Sequence, residues 1–172
     1  EGKGFSYSTV HSDGAGYRGD DTSIPVNIWS VSTYDANGGT KKKVVGDVEN
    51  GDWLNYTFDC TTAGNYTIHF FAILNYDSQN EVTNLTASID GNPVGTLEIS
   101  REINDNNFDK CDDAGKIENV QLSVGKHVFK VAADGHITLY KYWFEKTGNT
   151  YVAPVATGLI PACENANTFE GV

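Results

Sequence analysis

The chain has no methionine, only four prolines and three cysteines among its 172 residues. Basic side chains are also scarce: 12 Lys and Arg stand against 23 Asp and Glu, a formal net charge of −11. Each shortage excludes something. A surface this acidic repels phosphate backbones and anionic lipid, so nucleic acid is a poor partner. No apolar run approaches the ~20 residues that span a bilayer, so no membrane insertion is expected. Cys60, Cys111 and Cys163 stand about 50 residues apart, which is not a zinc pattern. His11, His69, His127 and His136 show no metal-ligand spacing. Neither a nucleophile elbow nor a phosphate-cradling glycine loop is present. Acid pairs are abundant, so the residues alone leave a glycosidase dyad open. The missing methionine, with no charged or apolar leader at Glu1, reads as a processed or excised segment.

What is present is β-structure. Hydrophobic residues make up 39% and charged residues 20%, enough apolar side chain for a real core. No window of helical length carries a 3.6-residue apolar stripe, whereas period-two alternation recurs. In Trp53–Phe58, Leu54, Tyr56 and Phe58 share one face, opposite Trp53, Asn55 and Thr57. In Asn65–Ile73, Tyr66, Ile68, Phe70 and Ala72 share a face. Leu85, Ala87 and Ile89 repeat the pattern, and Asp90-Gly91 supplies a hairpin turn into Val94–Ile99. Val120, Leu122 and Val124 mark another strand, which Gly125 turns into Lys126–Ala132. In Ile137–Phe144, Thr138, Tyr140, Tyr142 and Phe144 fall on one side. Short strands separated by turn signals predict an all-β fold, an antiparallel β-sandwich of the jelly-roll kind.

Two stretches read as irregular. Residues 11–44 are rich in Gly, Ser, Asp and Asn but carry Tyr17, Trp29 and Tyr34; residues 100–119 read as a long polar loop. Long loops on a compact sandwich are often functional. Pro154 and Pro161 set residues 147–172 apart, since they exclude an ordinary central strand or helix. The expected organisation is therefore a sandwich over 1–146 and a tail over 147–172. In a secreted protein, a disulfide joining two of the cysteines is plausible. Cys60 with Cys111 is favoured because Cys163 sits in the tail; three unpaired buried thiols are the alternative. Asn55, Asn65 and Asn84 each open an Asn-X-Thr glycosylation pattern. Chance in a sequence rich in Asn and Thr is the competing explanation.

The segment from Val45-Gly46-Asp47 through Asn50-Gly51-Asp52-Trp53-Leu54-Asn55-Tyr56-Thr57 resembles the hallmark of family 6 carbohydrate-binding modules. Thr62–Thr67, Ile89-Asp90-Gly91 and Leu122–His127 match further landmarks in order. Tyr17-Arg18 followed by Val26-Asn27-Ile28 is similar to a related, family 35-like branch. The resemblance covers roughly residues 1–146. It implies a β-sandwich without catalytic activity of its own, which usually accompanies glycoside hydrolases, so an enzyme is not expected.

It also implies a sugar cleft at the loop end of the sandwich. That cleft typically uses an aromatic at the position of Asp47, a second aromatic in the long loop, and an asparagine near the start of the last strand. Here the second falls loosely on Phe108 and the third on Thr138, while a glutamate contact falls near Trp29. The aromatic pair is thus not carried over intact, and Trp29, Tyr34 and Phe108 are the loop aromatics available to stack on a sugar, with Asp47 and Thr138 beside them. The family's structural calcium would need carboxylates where this chain has Lys3 and Tyr140, so that ion is not expected. The acidic stretch Asp105, Asp109, Asp112 and Asp113 is a minor alternative for calcium. The expected function is an extracellular or cell-surface module binding a neutral polysaccharide or oligosaccharide. The alternative is a structural subunit of an extracellular fibre. Residues 159–171 resemble the opening of another such module: either 147–172 is a linker running into a next module, or copies of the chain join head to tail by strand addition through it.

Overall fold

The computed structural model describes residues 7–8, 28–32, 41–74, 82–100 and 112–152, of which 7–8, 28–32, 41–43, 47 and 112 enter through their backbone alone. Among the described residues there are ten strands: β1 (Tyr7–Ser8), β2 (Ile28–Ser32), β3 (Lys41–Val48), β4 (Trp53–Cys60), β5 (Gly64–Leu74), β6 (Val82–Ile89), β7 (Asn92–Ser100), β8 (Asp112–Leu122), β9 (Gly125–Ala133) and β10 (Ile137–Gly148). They form two five-stranded sheets, ordered β1-β4-β9-β6-β7 and β2-β3-β10-β5-β8, with every pairing antiparallel. The all-β sandwich expected from the alternation is the fold observed.

The alternation decides which side chains meet between the sheets. Leu54, Leu85, Ala87, Ile89, Phe129 and Val131 of the first sheet bury against Ile68, Phe70, Ala72, Leu74, Val120 and Leu122 of the second. Aromatic rings bridge the layers. Phe58 stacks on Phe144 at 4.7 Å, Tyr56 lies 5.0 Å from Tyr142, and Phe129 packs on Tyr142 at 4.7 Å. Burial pushes the Tyr56 hydroxyl up to about 12. Phe70 and Phe129 are fully buried, and each such side chain contributes ~1.5–3 kcal/mol through lost water contact.

Two turns follow the glycine signals, one crossing between the sheets and one closing a hairpin. Gly51, between β3 and β4, has φ +89, and Gly91, between β6 and β7, has φ +80, a region where a Cβ is unfavourable. Asp52, 2% exposed, closes the first turn by accepting the Glu49 backbone N–H at Oδ2.

Three readings need correction. Tyr140 is an extra residue in β10: Leu139 pairs with Ala72 and Lys141 with Phe71. This bulge inverts the alternation, so Ile137 and Leu139 face inward before it, and Tyr142 and Phe144 after it. Thr138 and Tyr140 therefore do not share the face of Tyr142 and Phe144. Val124 is not a strand residue but lies between β8 and β9, 64% exposed. The second long loop is shorter than 100–119, because β8 already begins at Asp112 and pairs with Ala72. That strand is hard to read because Gly115 and two register shifts break its period.

The last strand extends past residue 146. β10 runs to Gly148, which pairs with Asn65, and the Val152 N–H donates to Gln121 Oε1.

Candidate functional site

Three of the predicted sugar-contacting residues fall on neighbouring strands near the start of β10. Val45 pairs with Leu139 and Val48 with Ile137, so Gly46 and Asp47 together oppose the single residue Thr138. This is a β-bulge, a device that re-aims side chains at sheet ends. On the far side of β3, Trp29 of β2 occupies the register position opposite Val44. Trp29, Asp47 and Thr138 thus stand on the neighbouring strands β2, β3 and β10 of one sheet, although 109 positions separate the first from the last. Tyr34 and Phe108 lie outside the described residues.

The surroundings are apolar. Val44 and Ile73 are 2% and 3% exposed and form a small cluster with Tyr140, separate from the main core. Thr138 pairs with Ile73 and is itself 1% exposed. Sequence reading missed this cluster, because the alternation of β5 suggests that Ile73 faces outward to solvent. The Tyr140 position, which the resemblance assigns to a calcium carboxylate, packs on these apolar residues and has the Lys141 ammonium 5.4 Å from its ring. A tyrosine beside an ammonium supplies no carboxylate to a cation at this position. Lys3, Asp105 and Asp109 lie outside the described residues, and the Asp113 carboxylate accepts the Gly115 N–H.

The remaining marked residues sit elsewhere. Asn55 lies on β4 opposite Lys130. Asn65 donates to Asn119 Oδ1 and accepts from Gln121. Asn84 donates its amide to Asp134 Oδ2 at 2.8 Å, while its backbone N–H donates to Oδ1. The side-chain amides of the last two thus hydrogen-bond to neighbouring segments. Trp53 is on the outer face of the first sheet, under the Lys130 ammonium at 4.8 Å, and Tyr56 is on the inner face.

The favoured disulfide is not formed. Cys60 is a buried free thiol that donates to the Thr62 carbonyl, near Tyr66. Cys111 lies outside the described residues but directly precedes Asp112, whose partner is Ala72. Tyr66 and Ala72 are six positions apart on β5, roughly 20 Å of strand, whereas a disulfide needs Cα atoms within about 7 Å. Sequence spacing cannot report that Cys60 lies near Tyr66 while Asp112 pairs with Ala72, at the other end of β5.

Among known proteins, the pattern described as carbohydrate binding module (family 6) matches residues 25–153. The fold is similar to a family 6 module from Clostridium stercorarium solved in complex with cellobiose. That comparison has a TM-score of 0.52 and 18% identity, over 71% of this chain and 82% of that one. A second family 6 module, studied by binding sub-site dissection, gives a TM-score of 0.51 and 16% identity, over 71% and 95%. A family 35 module from an environmental isolate covers 75% of this chain and 93% of its own, at a TM-score of 0.49 and 17% identity. No curated protein sequence matches.

Proposed function

The chain belongs to the family 6 carbohydrate-binding modules, and on that premise we propose that it is a non-catalytic module holding a neutral polysaccharide or oligosaccharide where Trp29, Asp47 and Thr138 meet. The observation that carries the reading is the bulge setting Gly46 and Asp47 against Thr138. It sets Asp47 opposite the buried Thr138, with Trp29 on the next strand of the same sheet. Aromatic faces take the C–H face of a sugar ring, while carboxylate and hydroxyl groups fix its hydroxyls. Tyr34 and Phe108 are the further aromatics assigned to the cleft. The net charge of −11 favours a neutral ligand over a polyanion. The habit of the family supports an extracellular location, and no helix of the described residues is long and apolar enough to cross a membrane.

The test is retention on a panel of soluble and insoluble polysaccharides. Trp29→Ala, Tyr34→Ala and Asp47→Ala each weaken retention on this reading, with the melting transition preserved. Unchanged retention in all three would remove the site assignment. Release of reducing sugar by the purified chain would overturn the non-catalytic reading. Nothing among the described residues favours the fibre-forming alternative.

A further inference from the structure

We propose that the outer face of the second sheet carries a separate sugar platform, centred on Trp143, for one neutral pyranose ring of a polysaccharide. The inference rests on the reading that this chain binds glycans, but it is centred on residues other than Trp29, Asp47 and Thr138.

The β10 bulge creates the platform. Beyond Tyr140, Tyr142 and Phe144 fill the core, which leaves Lys141, Trp143 and Glu145 on the outside. Trp143 is 39% exposed, an unusual position for the largest apolar side chain. Its register partner on β5 is His69, whose ring lies parallel to the indole at 4.7 Å and 4°. His69 Nε2 stands 2.8 Å from Glu145 Oε2. Phe71 lies 5.5 Å from the indole, and Lys141 Nζ sits 4.4 Å from the Phe71 ring and 5.3 Å from the Trp143 ring.

Each member of the group is thus held by another. Exposed Lys, Glu and Trp side chains ordinarily lose rotamer freedom when they bind a ligand; here the neighbours have already restricted them, which lowers that cost. Alternate residues on a strand stand about 6.6 Å apart, so Lys141 and Glu145 flank the indole on its two sides. One flank donates hydrogen bonds and the other accepts them. A pyranose matches that order, with C–H groups for the indole and hydroxyls that both donate and accept at its rim. The flanking charges are opposite and cancel, which suits a neutral ring; a carboxylate on the sugar would meet Glu145. A protein partner is a poorer fit, because a stable interface covers ~800 Å² per side and the open apolar surface here is a single indole. The platform is distinct from the first site, since Trp143 is five positions along β10 from Thr138, roughly 16 Å.

The experiment is a titration of the full chain followed by NMR through the indole N–H signals of Trp29, Trp53 and Trp143. The probes are neutral cello-, xylo-, laminari- and manno-oligosaccharides, with glucuronic acid and its oligomers as the charged comparison. At least one neutral sugar is expected to move the Trp143 signal, and to do so still in the Trp29→Ala/Asp47→Ala double variant. Trp143→Ala abolishes that second binding event. Lys141→Met and Glu145→Gln, which leave the aromatic group in place, weaken it roughly tenfold. Shifts confined to Trp29 would overturn this inference and leave the first site standing. No shift with any sugar would overturn both. A response to uronates alone would refute the neutral ligand. Self-association that Trp143→Ala abolishes, without any sugar response, would assign the face to a second copy of the chain.

Discussion

His127 Nδ1 lies 2.7 Å from Asp90 Oδ2, a contact that ties the β8–β9 turn to the tip of the β6–β7 hairpin. The other ring nitrogen faces the Ser123 carbonyl at 3.0 Å, and Asp90 Oδ1 accepts the Val128 N–H. Burial by itself would lower the His127 pKa; the hydrogen bonds to Asp90 and Ser123 and the Asp90 charge outweigh it, and the pKa is raised from 6.5. Burial would raise that of Asp90; the bonds from His127 and Val128 outweigh it, and the pKa is lowered from 3.8.

The sign of the pH dependence follows. The His127 contribution is complete below its unfolded pKa and fades as pH rises through the folded one. The Asp90 contribution is complete above its unfolded pKa and fades on acidification through the folded one. The latch is therefore strongest between roughly pH 4 and pH 6.5. The gap in melting temperature between the chain and His127→Gln is expected to be widest there and to narrow in alkali. A gap that grows towards alkali would refute the charged latch.

Gly51 and Asp52 make a second prediction. A Cβ at Gly51 meets no atom within 4 Å, so Gly51→Ala is costly only through its φ of +89, about 1 kcal/mol. Asp52→Ala removes the acceptor of the Glu49 N–H and costs about 1–2 kcal/mol, whereas Asp52→Asn retains an acceptor and loses less. Urea midpoints at constant slope measure all three. Equal losses for Ala and Asn at position 52 would show that this hydrogen bond is not what matters.

A third concerns the domain limit. A chain ending at Lys146 loses the Gly148–Asn65 pairing and the Val152–Gln121 hydrogen bond, whereas one ending at Val152 keeps both. The shorter chain is expected to melt lower by several degrees, since ~1 kcal/mol corresponds to a few degrees in a domain of this size. Coincident melting curves would place the limit back at 146.

Cys60 supplies the fourth. At 6% exposure and hydrogen-bonded to Thr62, its thiol is expected to react with an aromatic disulfide reagent only on unfolding. Cys60→Ala should leave the fast phase of the native reaction unchanged. A smaller fast phase would mean that the thiol is reachable from solvent.

Much of the fold is legible in the residues because burial between two sheets imposes period two. Leu54, Tyr56 and Phe58, or Leu85, Ala87 and Ile89, announce their inner face without any tertiary information. The turns at Gly51 and Asp90-Gly91 announce themselves through backbone conformations that few residues adopt. The family followed from the same short segments. Legibility fails where the period breaks. A single extra residue at Tyr140 exchanges the faces of β10, and Gly115 and its register shifts disguise β8 as loop.

The sequence by itself thus determined the all-β class, the strand faces in the middle of the chain, the family, and the candidates Trp29, Asp47 and Thr138. Only the tertiary structure decided that these three stand on neighbouring strands, that Cys60 is remote from Asp112, and that Lys141, Trp143 and Glu145 share one outer face with His69. The physical reason is that periodicity is local, recording how each strand meets water and core. Register and bulges are set by pairing between segments far apart in the chain, and no local pattern records which residue lies opposite which.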